Sequence, residues 1–306
     1  MKQISSMTIG TVQLGMNYGI ANMGGKPDEN QSFSMLSTAF EHGVTSLDTA
    51  RSYGNSEEVI GRFLRTWKGD VPHITTKIKF PEKEVEDVEG YVFSEVKKSL
   101  QNLGVERVNV VMLHLPGDLK RYGAKVVTAM EKLVLQGLTD QIGVSVYVAD
   151  EVEEMLKYPQ FSATQVPMSV FDQRLIADGT IEKLREKNYT VFVRSVFLQG
   201  LFFLDPDKID DPILVRHAVP KIRLIREIAN EEQMSIAQLA ITFIRDIPGV
   251  TSLVLGADTP KQVLDNIDGL RTPPISEKGM QRLTKEFAKV NIPEIMKVLT
   301  RPKPQS

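Results

Sequence analysis

The sequence predicts a protein of the α/β class, a (β/α)8 TIM barrel with extra helices and a C-terminal tail over the barrel. Eight short runs rich in Val, Ile and Thr alternate with longer stretches of helical period. No change of composition and no low-complexity linker divides the 306 residues. Barrels of this class commonly reach about 250 residues as one domain. We therefore expect residues 1–306 to form a single barrel domain.

Each of the eight predicted strands is short and is followed by a helical stretch. This order is typical of a parallel barrel rather than of a doubly wound sheet. In chain order the predicted strands are Thr8–Val12, Thr45–Asp48, His73–Lys77, Val108–Leu113, Gln141–Ser145, Ala163–Pro167, Thr190–Ser195 and Ser252–Gly256.

Apolar residues spaced at i, i+3, i+4 and i+7 predict amphipathic helices between the strands, for example over residues 33–40. Helix starts are marked by capping residues. Thr259 precedes Pro260, which places a capping hydroxyl before a proline at the first helical position. Ser235 and Ser276 are further candidates for helix N-caps.

Two segments contain more residues than a plain (β/α)8 barrel needs. The chain between the seventh and eighth strands is long enough for a loop, Leu198–Pro212, and two helices, the second over Ile236–Arg245. A tail, Ser276–Ser306, follows the eighth helix and contains one more predicted helix. Additions of this kind at one end of a barrel usually shape a binding pocket or close the barrel.

Composition excludes several classes of function. The formal net charge is −2 and the Lys and Arg residues are spread along the chain, so we expect neither nucleic acid nor an anionic membrane as a partner. The absence of cysteine excludes disulfides, thiolate nucleophiles and zinc sites of the Cys type. No long apolar stretch and no apolar segment behind the first residues occurs, which predicts a cytoplasmic protein.

Polar side chains end most of the predicted strands. The active site of a barrel of this class forms at the carboxyl ends of its strands. The residues at those ends are Asp48, Lys77, His114, Ser145, Gln165, Ser195 and Gly256. Tyr53 follows Asp48 within the same loop. Taken singly, Asp48 fits a turn carboxylate and His114 a core histidine, but their meeting at one end of neighbouring strands favours an active site.

These residue types predict proton transfer to a carbonyl oxygen. A tyrosine has a pKa near 10, which an ammonium within about 4–6 Å lowers. We therefore expect Lys77 to lower the pKa of Tyr53, Asp48 to hold Lys77 in its charged form, and His114 to orient the substrate oxygen. The set contains one histidine and no nucleophile, so no metal site is expected, and a hydride must come from a cofactor.

At these residues the sequence resembles the aldo-keto reductase superfamily over essentially its whole length. The most specific part is Asp48-Thr49-Ala50-Arg51-Ser52-Tyr53-Gly54, with Lys77 and His114 downstream. Weaker matches are the glycine pairs of the first strand. The further matching residues are Gly10, Thr11, Leu14, Gly15, Glu57, Thr76, Gly143, Val144, Ser145, Gln165, Ser195, Gly200, Gly256, Gln262 and Asn266.

The resemblance implies roles for these residues. Asp48, Tyr53, Lys77 and His114 would be the catalytic tetrad, with Tyr53 as the acid. Ser145 and Gln165 would hold the nicotinamide carboxamide. The full set of implied cofactor-binding residues is Gly10, Thr11, Asp48, Ser145, Gln165, Arg194, Ser195, Val196, Phe197, Gln199, Gly200, Gly256, Asp258, Gln262 and Asn266. No Gly-x-Gly-x-x-Gly follows the first strand, so a Rossmann site is not expected.

Three residues depart from the pattern of that superfamily. Val146 replaces a common Asn, which removes one carboxamide contact. Arg194 replaces an aromatic residue that often stacks on the nicotinamide, and a planar guanidinium can also stack. Asp258 stands where many members have Arg, Lys or Ser, although Lys261 lies close enough along the chain to neutralise a phosphate. NADP is the expected cofactor, with NAD possible.

The sequence thus predicts an NAD(P)H-dependent enzyme that reduces an aldehyde or ketone of a small-molecule substrate. Three loops would set the substrate, namely Asn17–Asp28, Pro116–Ala124 and Leu198–Pro212. Two alternatives stay open: a nicotinamide-binding regulatory subunit with vestigial activity, and a barrel lyase that uses Lys77 as a Schiff-base amine. The oligomeric state cannot be read from the sequence.

Overall fold

A computed structural model describes residues 3–22 and 24–301 of the chain. Eight parallel strands pair in chain order, and the last pairs with the first to close a barrel. The strands are β1 (Met7–Gly10), β2 (Ser46–Asp48), β3 (His73–Ile78), β4 (Val108–Leu113), β5 (Thr139–Ser145), β6 (Ala163–Pro167), β7 (Thr190–Arg194) and β8 (Ser252–Gly256). The predicted (β/α)8 barrel is confirmed.

Helices follow each strand and surround the barrel. They are α1 (Val12–Gly15), α2 (Glu29–Glu41), α3 (Ser56–Thr66), α4 (Val88–Leu103), α5 (Pro116–Tyr122), α6 (Ala124–Leu135), α7 (Ala149–Leu156), α8 (Arg174–Ala177), α9 (Thr180–Glu186), α10 (Pro212–His217), α11 (Val219–Glu231), α12 (Ile236–Arg245), α13 (Pro260–Leu270), α14 (Glu277–Phe287) and α15 (Ile292–Leu299). Within the described ranges, none of them is long and apolar enough to cross a membrane.

The predicted helix caps are confirmed. Ser235, Thr259 and Ser276 immediately precede α12, α13 and α14. In each case the hydroxyl oxygen accepts a hydrogen bond from the backbone N–H three residues on. These bonds satisfy one of the backbone donors that a helix leaves unpaired at its start.

Strand limits differ from the prediction where the backbone leaves the extended conformation. The predicted and observed limits agree for β4, β6 and β8. Strand β1 ends at Gly10 rather than at residue 12, because the chain turns into α1. Strand β7 ends at Arg194, because Ser195 has a φ of +66°, in the left-handed region.

Alternate residues of each strand point into the barrel. Gln165 on β6 donates a hydrogen bond of 2.8 Å to Asp48 on β2, and two strands so far apart in the ring can meet only in its interior. On β3, Lys77 points inward to Asp48, whereas the adjacent Thr76 points outward and donates to Glu57 on α3. The period of two therefore separates the polar groups of the mouth from the layer between strands and helices.

The barrel interior beneath the mouth is packed. The hydroxyl of Thr8 lies 2.7 Å from that of Ser46 and 2.8 Å from that of Ser252, so these buried polar groups satisfy one another. A small apolar cluster lies beside them. It consists of the fully buried Val110, Met112, Ala163 and Phe192. The described side chains therefore fill the barrel interior below the mouth, which directs the search for a ligand site to the mouth.

The extra segments cover the carboxyl end of the barrel. Between β7 and β8 the chain forms two 3-10 turns, Leu198–Phe203 and Pro206–Lys208, and then α10 to α12. In the tail, the ring of Phe287 on α14 stacks on Phe171, in the loop after β6, with 5.3 Å between centroids. The predicted helix Ile236–Arg245 is confirmed as α12, but three α-helices rather than two lie between β7 and β8, and the described tail contains two helices rather than one. Residues 302–306 of the predicted tail lie outside the described residues.

Candidate active site

The carboxyl ends of β2 and β3 bring a buried ion pair to the mouth of the barrel. Lys77 Nζ lies 2.7 Å from each carboxylate oxygen of Asp48 and 3.0 Å from the carbonyl oxygen of Thr49. The exposed fractions of the two side chains are 0% for Lys77 and 3% for Asp48. A charge this deeply buried needs a partner. The predicted pairing of Lys77 with Asp48 is confirmed.

Tyr53 reaches this ion pair from the loop between β2 and α3. Its hydroxyl oxygen lies 3.4 Å from Lys77 Nζ. Two glycines allow the loop to lie against the segment after β1: a Cβ on Gly15 would come within 1.7 Å of the Tyr53 carbonyl oxygen, and one on Gly54 within 2.3 Å of the Gly15 carbonyl oxygen. The backbone of the tyrosine loop is therefore fixed by direct contact with a neighbouring backbone.

The pKa of Tyr53 differs from the expectation. Burial raises it above the ordinary value for tyrosine, and the carboxylate of Asp48 raises it further. The expected lowering by Lys77 is wrong in net effect, because Asp48 lies against the same ammonium and offsets its charge. The cation that does lower the pKa of Tyr53 is Arg194. Tyr53 is therefore protonated at neutral pH.

His114 lies beside Tyr53 at the end of β4. The two rings meet edge to face with 5.5 Å between centroids, and His114 Nδ1 lies 2.9 Å from the hydroxyl oxygen of Ser52. Burial lowers the pKa of His114 to about 3, and the charges of Lys77 and Arg194 act in the same direction. The imidazole is therefore neutral at physiological pH and carries one N–H.

Ser145 and Gln165 lie next to each other on the same side of the mouth. They are register partners on β5 and β6, and each is only 1% exposed. The amide nitrogen of Gln165 donates to Asp48, so this side chain is already held in place by the ion pair. Val146 is fully buried, and its N–H donates to the carbonyl oxygen of Gln165.

Gly10 and Gly256 form a second part of the mouth, on β1 and β8. They are register partners, and a Cβ added to Gly256 would lie 2.3 Å from Gln13 Nε2. The Gln13 carbonyl oxygen Oε1 is buried and has no hydrogen-bond partner among the described residues. Thr11 donates its hydroxyl proton to the Asp48 carbonyl oxygen, and Asn266 Nδ2 lies 3.4 Å from the Gly256 carbonyl oxygen. Sequence reasoning missed Gln13, because only its surroundings show that it is buried.

The residues after β8 are tied to the loop after β1. Asp258 accepts a hydrogen bond of 3.1 Å from Asn22 Nδ2, and its backbone N–H donates to the side chain of Gln262. The expectation that Lys261 could neutralise a phosphate here is not supported by its position. Its Nζ lies 2.8 Å from Asp265, one helical turn further along α13.

The turn after β7 has a left-handed backbone. Ser195, Leu198 and Gln199 have φ values of 66°, 46° and 56°. The carbonyl oxygen of Gln199 accepts a hydrogen bond of 2.8 Å from the N–H of Ile20, in the loop after β1. Close packing continues at Gly200, where an added Cβ would lie 2.8 Å from Ala21 Cβ.

Two of the predicted cofactor residues in that turn have side chains directed elsewhere. The side chain of Val196 is 1% exposed and belongs to the apolar core. The ring of Phe197 packs on Phe203, with 5.2 Å between centroids. Val196 can therefore offer only backbone groups to a ligand in the mouth, while the half-buried ring of Phe197 already packs on Phe203.

Three further side chains complete the rim of the mouth. The guanidinium of Arg194 stacks on the ring of Tyr147 at 4.4 Å. Burial raises the pKa of Tyr18 to about 12, and the charges that act on Tyr18 include those of Tyr53 and Arg194. Sequence reasoning missed Tyr18 and Tyr147. Tyr147 could have been found from its parity, since it is two residues beyond Ser145.

Comparison with known proteins gives consistent matches. Residues 6–286 match the sequence model of the Aldo/keto reductase family. The NADH-specific methylglyoxal reductase of Escherichia coli (strain K12) is 25% identical over 305 residues, covering 87% of this chain and 90% of that protein. A glycerol dehydrogenase structure from Gluconobacter oxydans has a TM-score of 0.77 at 21% identity, covering 99% of this chain and 95% of that chain. An aldo/keto reductase from Klebsiella pneumoniae, in complex with NADP and acetate, has a TM-score of 0.71 at 20% identity, covering 93% of this chain and 92% of that chain.

Proposed function

This chain belongs to the aldo/keto reductase family, and from that premise we propose that it reduces the carbonyl of a small aldehyde or ketone with a hydride from NADPH or NADH. The observation that carries the proposal is the 3.4 Å contact between Tyr53 Oη and Lys77 Nζ at the mouth of the barrel. It places a protonated hydroxyl beside a buried ammonium, where a carbonyl oxygen could receive a proton.

Features of the mouth support a bound dinucleotide. Gln13 Oε1 is a buried acceptor with no hydrogen-bond partner among the described residues, and the Gln13 side chain lies directly against Gly256, where only a glycine fits. The N-terminus of α13 lies next to Gly256 and suits an anionic group. When bound, the nicotinamide supplies the hydride. We assign its carboxamide to Ser145 and Gln165, beside Asp48, and its ring to the face of Arg194 turned away from Tyr147.

The remaining cofactor residues surround the rest of the mouth. We assign the phosphates and the adenosine to backbone and side-chain groups of the β1, β7 and β8 ends. These residues are Gly10, Thr11, Ser195, Val196, Phe197, Gln199, Gly200, Gly256, Asp258, Gln262 and Asn266. Among relatives, the Escherichia coli reductase is named as NADH-specific, and the Klebsiella pneumoniae structure holds NADP. We propose NADP first, as the Klebsiella pneumoniae structure holds it. NAD is the second candidate, because Asp258 would repel the 2′-phosphate that only NADP carries.

The proton comes from Tyr53. Because burial raises its pKa, Tyr53 keeps its proton until a substrate oxygen becomes basic during hydride transfer. The phenolate left behind lies within hydrogen-bond reach of Lys77 Nζ and within the field of Arg194, whose charge favours it. Asp48 keeps Lys77 charged and in place.

His114 orients the carbonyl in this proposal. A hydroxyl proton donated by Ser52 to Nδ1 leaves the single N–H of the neutral ring on Nε2. That N–H can donate to the same carbonyl oxygen that Tyr53 protonates. Two donors then define the position of the oxygen, which is the usual requirement for efficient transfer.

The Schiff-base alternative has little support. A nucleophilic amine must be neutral, whereas Lys77 Nζ has four acceptors within hydrogen-bond reach. They are the two oxygens of Asp48, the carbonyl of Thr49 and the hydroxyl of Tyr53, which together suit an ammonium. Borohydride treatment with substrate would trap a covalent adduct only if Lys77 were such an amine. A regulatory subunit without turnover is not favoured either, because the catalytic groups lie in contact.

The test is Tyr53→Phe, which removes one oxygen and keeps the ring. Turnover of a generic aldehyde with NADPH should fall by about 10²-fold or more, the usual scale for a general acid. Nucleotide affinity, measured by NADPH fluorescence, should stay within about twofold of wild type. Tyr158→Phe is the matched control, since Tyr158 lies after α7 and packs on Phe161. Unchanged turnover in Tyr53→Phe would remove Tyr53 as the acid.

A further inference from the structure

Arg194 lies at the mouth of the barrel, and among the residues that the structure describes it has no acidic partner. Its guanidinium makes two long hydrogen bonds, 3.3 Å to the carbonyl oxygen of Val146 and 3.4 Å to the hydroxyl of Ser195. Among residues 3–22 and 24–301, no carboxylate forms an ion pair with it. Lys77 differs, since its charge is offset by Asp48 in direct contact. The described mouth therefore carries one uncompensated positive charge.

The guanidinium is held in place by its neighbours. The ring of Tyr147 covers one face at 4.4 Å, an arrangement that favours a cation and restricts its rotation. The residue is half-buried, which strengthens its interaction with a charge compared with one in water. Most of its five N–H donors remain available along the edge of the planar group. A fixed planar donor edge suits the two oxygens of a carboxylate or phosphate.

From this geometry we propose that Arg194 recognises an anionic group of the substrate, so that the preferred substrates are aldehydes or ketones bearing a carboxylate or a phosphate. The inference rests on the proposed function and adds a substrate class to it. The nicotinamide ring is assigned to the flat face of the Arg194 guanidinium, whereas the anion would bind to the N–H groups along its edge.

The reacting groups lie within the field of the same cation. Arg194 lowers the pKa of both Tyr53 and His114 by its charge. The anion would therefore lie beside the carbonyl that these two residues contact. Tyr18 faces the same region and stays protonated, so its hydroxyl can donate to the anion as well.

The experiment compares charged and uncharged substrates of similar shape. Wild type and Arg194→Gln, which keeps a planar amide and loses the charge, are assayed with 4-carboxybenzaldehyde and 4-methylbenzaldehyde. In Arg194→Gln, kcat/KM should fall for both compounds, because Arg194 also contacts the proposed nicotinamide site and favours the Tyr53 phenolate. The loss should be about 10- to 100-fold larger for the carboxylate than for the methyl compound, and the additional loss should lie mostly in KM. Arg194→Lys should recover part of the loss. Arg216→Gln, at an exposed position on α10, is the control.

A second pair of substrates separates the two anions. Glyceraldehyde 3-phosphate and glyceraldehyde are compared in the same variants. If Arg194→Gln lowers kcat/KM selectively for one charged substrate, the site prefers the anion of that substrate. If it lowers kcat/KM selectively for both, the site accepts a carboxylate or a phosphate. Equal losses with charged and uncharged substrates, together with weaker NADPH binding, would overturn the proposal and leave Arg194 with the cofactor alone.

A binding measurement keeps this inference separate from the proposed function. Calorimetric titration of the protein with 4-carboxybenzyl alcohol, in the presence of NADPH, needs no turnover. Affinity should fall about 10-fold or more in Arg194→Gln and should be unaffected in Arg216→Gln. If wild type reduces none of the aldehydes yet shows this difference, the proposed function fails and the anion site stands. Equal affinity in wild type and Arg194→Gln refutes the anion site.

Discussion

Replacing Lys77 by methionine tests whether Asp48 depends on Lys77 to stay charged in the buried ion pair. Methionine keeps the apolar stem of lysine and removes the ammonium, so Asp48 loses both 2.7 Å contacts and keeps only the 2.8 Å bond from Gln165. The Asp48 side chain is only 3% exposed, and a carboxylate buried to this extent cannot stay charged without its partner. We expect it to take up a proton.

The free energy needed to protonate Asp48 sets the expected loss in the free energy of unfolding of Lys77→Met. Protonating an aspartate with an ordinary pKa of about 3.9 in the unfolded chain costs about 4 kcal/mol at pH 7. This agrees with the loss of about 3–5 kcal/mol that follows the removal of one partner from a buried pair. The loss in Lys77→Met should shrink by about 1.4 kcal/mol per pH unit as the pH falls toward 4, because the unfolded chain then takes up the proton as well.

Urea unfolding of wild type, Lys77→Met and the double variant Asp48→Asn/Lys77→Met measures these effects. The double variant should recover most of the free energy of unfolding, because a neutral amide replaces the orphaned charge. Neither variant should regain turnover, because Tyr53 has lost its hydrogen bond to Lys77 Nζ. Lys79→Met, at an exposed position two residues further on, is the control. Wild-type stability in Lys77→Met, or a double variant no more stable than the single one, would refute this reasoning.

Two further predictions concern the cofactor and His114. Asp258→Ser should raise the affinity for NADPH relative to NADH by about tenfold or more, equivalent to about 1.4 kcal/mol, because a carboxylate near the 2′-phosphate is removed. Fluorescence titration with both nucleotides measures it, and an unchanged ratio would mean that Asn22 holds Asp258 away from the ribose. Ser52→Ala should lower kcat about tenfold without changing nucleotide affinity, because His114 loses the hydroxyl contact at Nδ1 that we propose fixes its tautomer. Unchanged kcat, or no change in the ring-nitrogen NMR signals of His114, would contradict this role.

The sequence was sufficient to predict the barrel and the polar ends of its strands. Strand periodicity assigns Asp48 and Lys77 to one end of neighbouring strands, and a period of two is enough to place them in contact. The limits of β7 could not be predicted, because the left-handed conformation of Ser195 depends on the packing of the turn rather than on residue type.

Charge balance within the mouth was the least predictable property. A sequence shows that Lys77 and Tyr53 are close to the same strand ends, but not that Asp48 offsets the effect of Lys77 on the tyrosine. Likewise, only the coordinates show that Lys261 pairs with Asp265 and that Arg194 has Tyr147 as its neighbour. These outcomes depend on distances between side chains from separate loops.

The contact between Gly15 and Gly54 limits how this protein can vary. Each position has room for a hydrogen atom only, because the opposing backbone would lie 1.7 Å and 2.3 Å from an added carbon. In a library of substitutions scored by turnover, both glycines would be as intolerant as Tyr53, although neither has a side chain that can take part in the reaction. Positions at this mouth that tolerate no substitution are therefore of two kinds: those where two loops must be in contact, and those that take part in proton transfer.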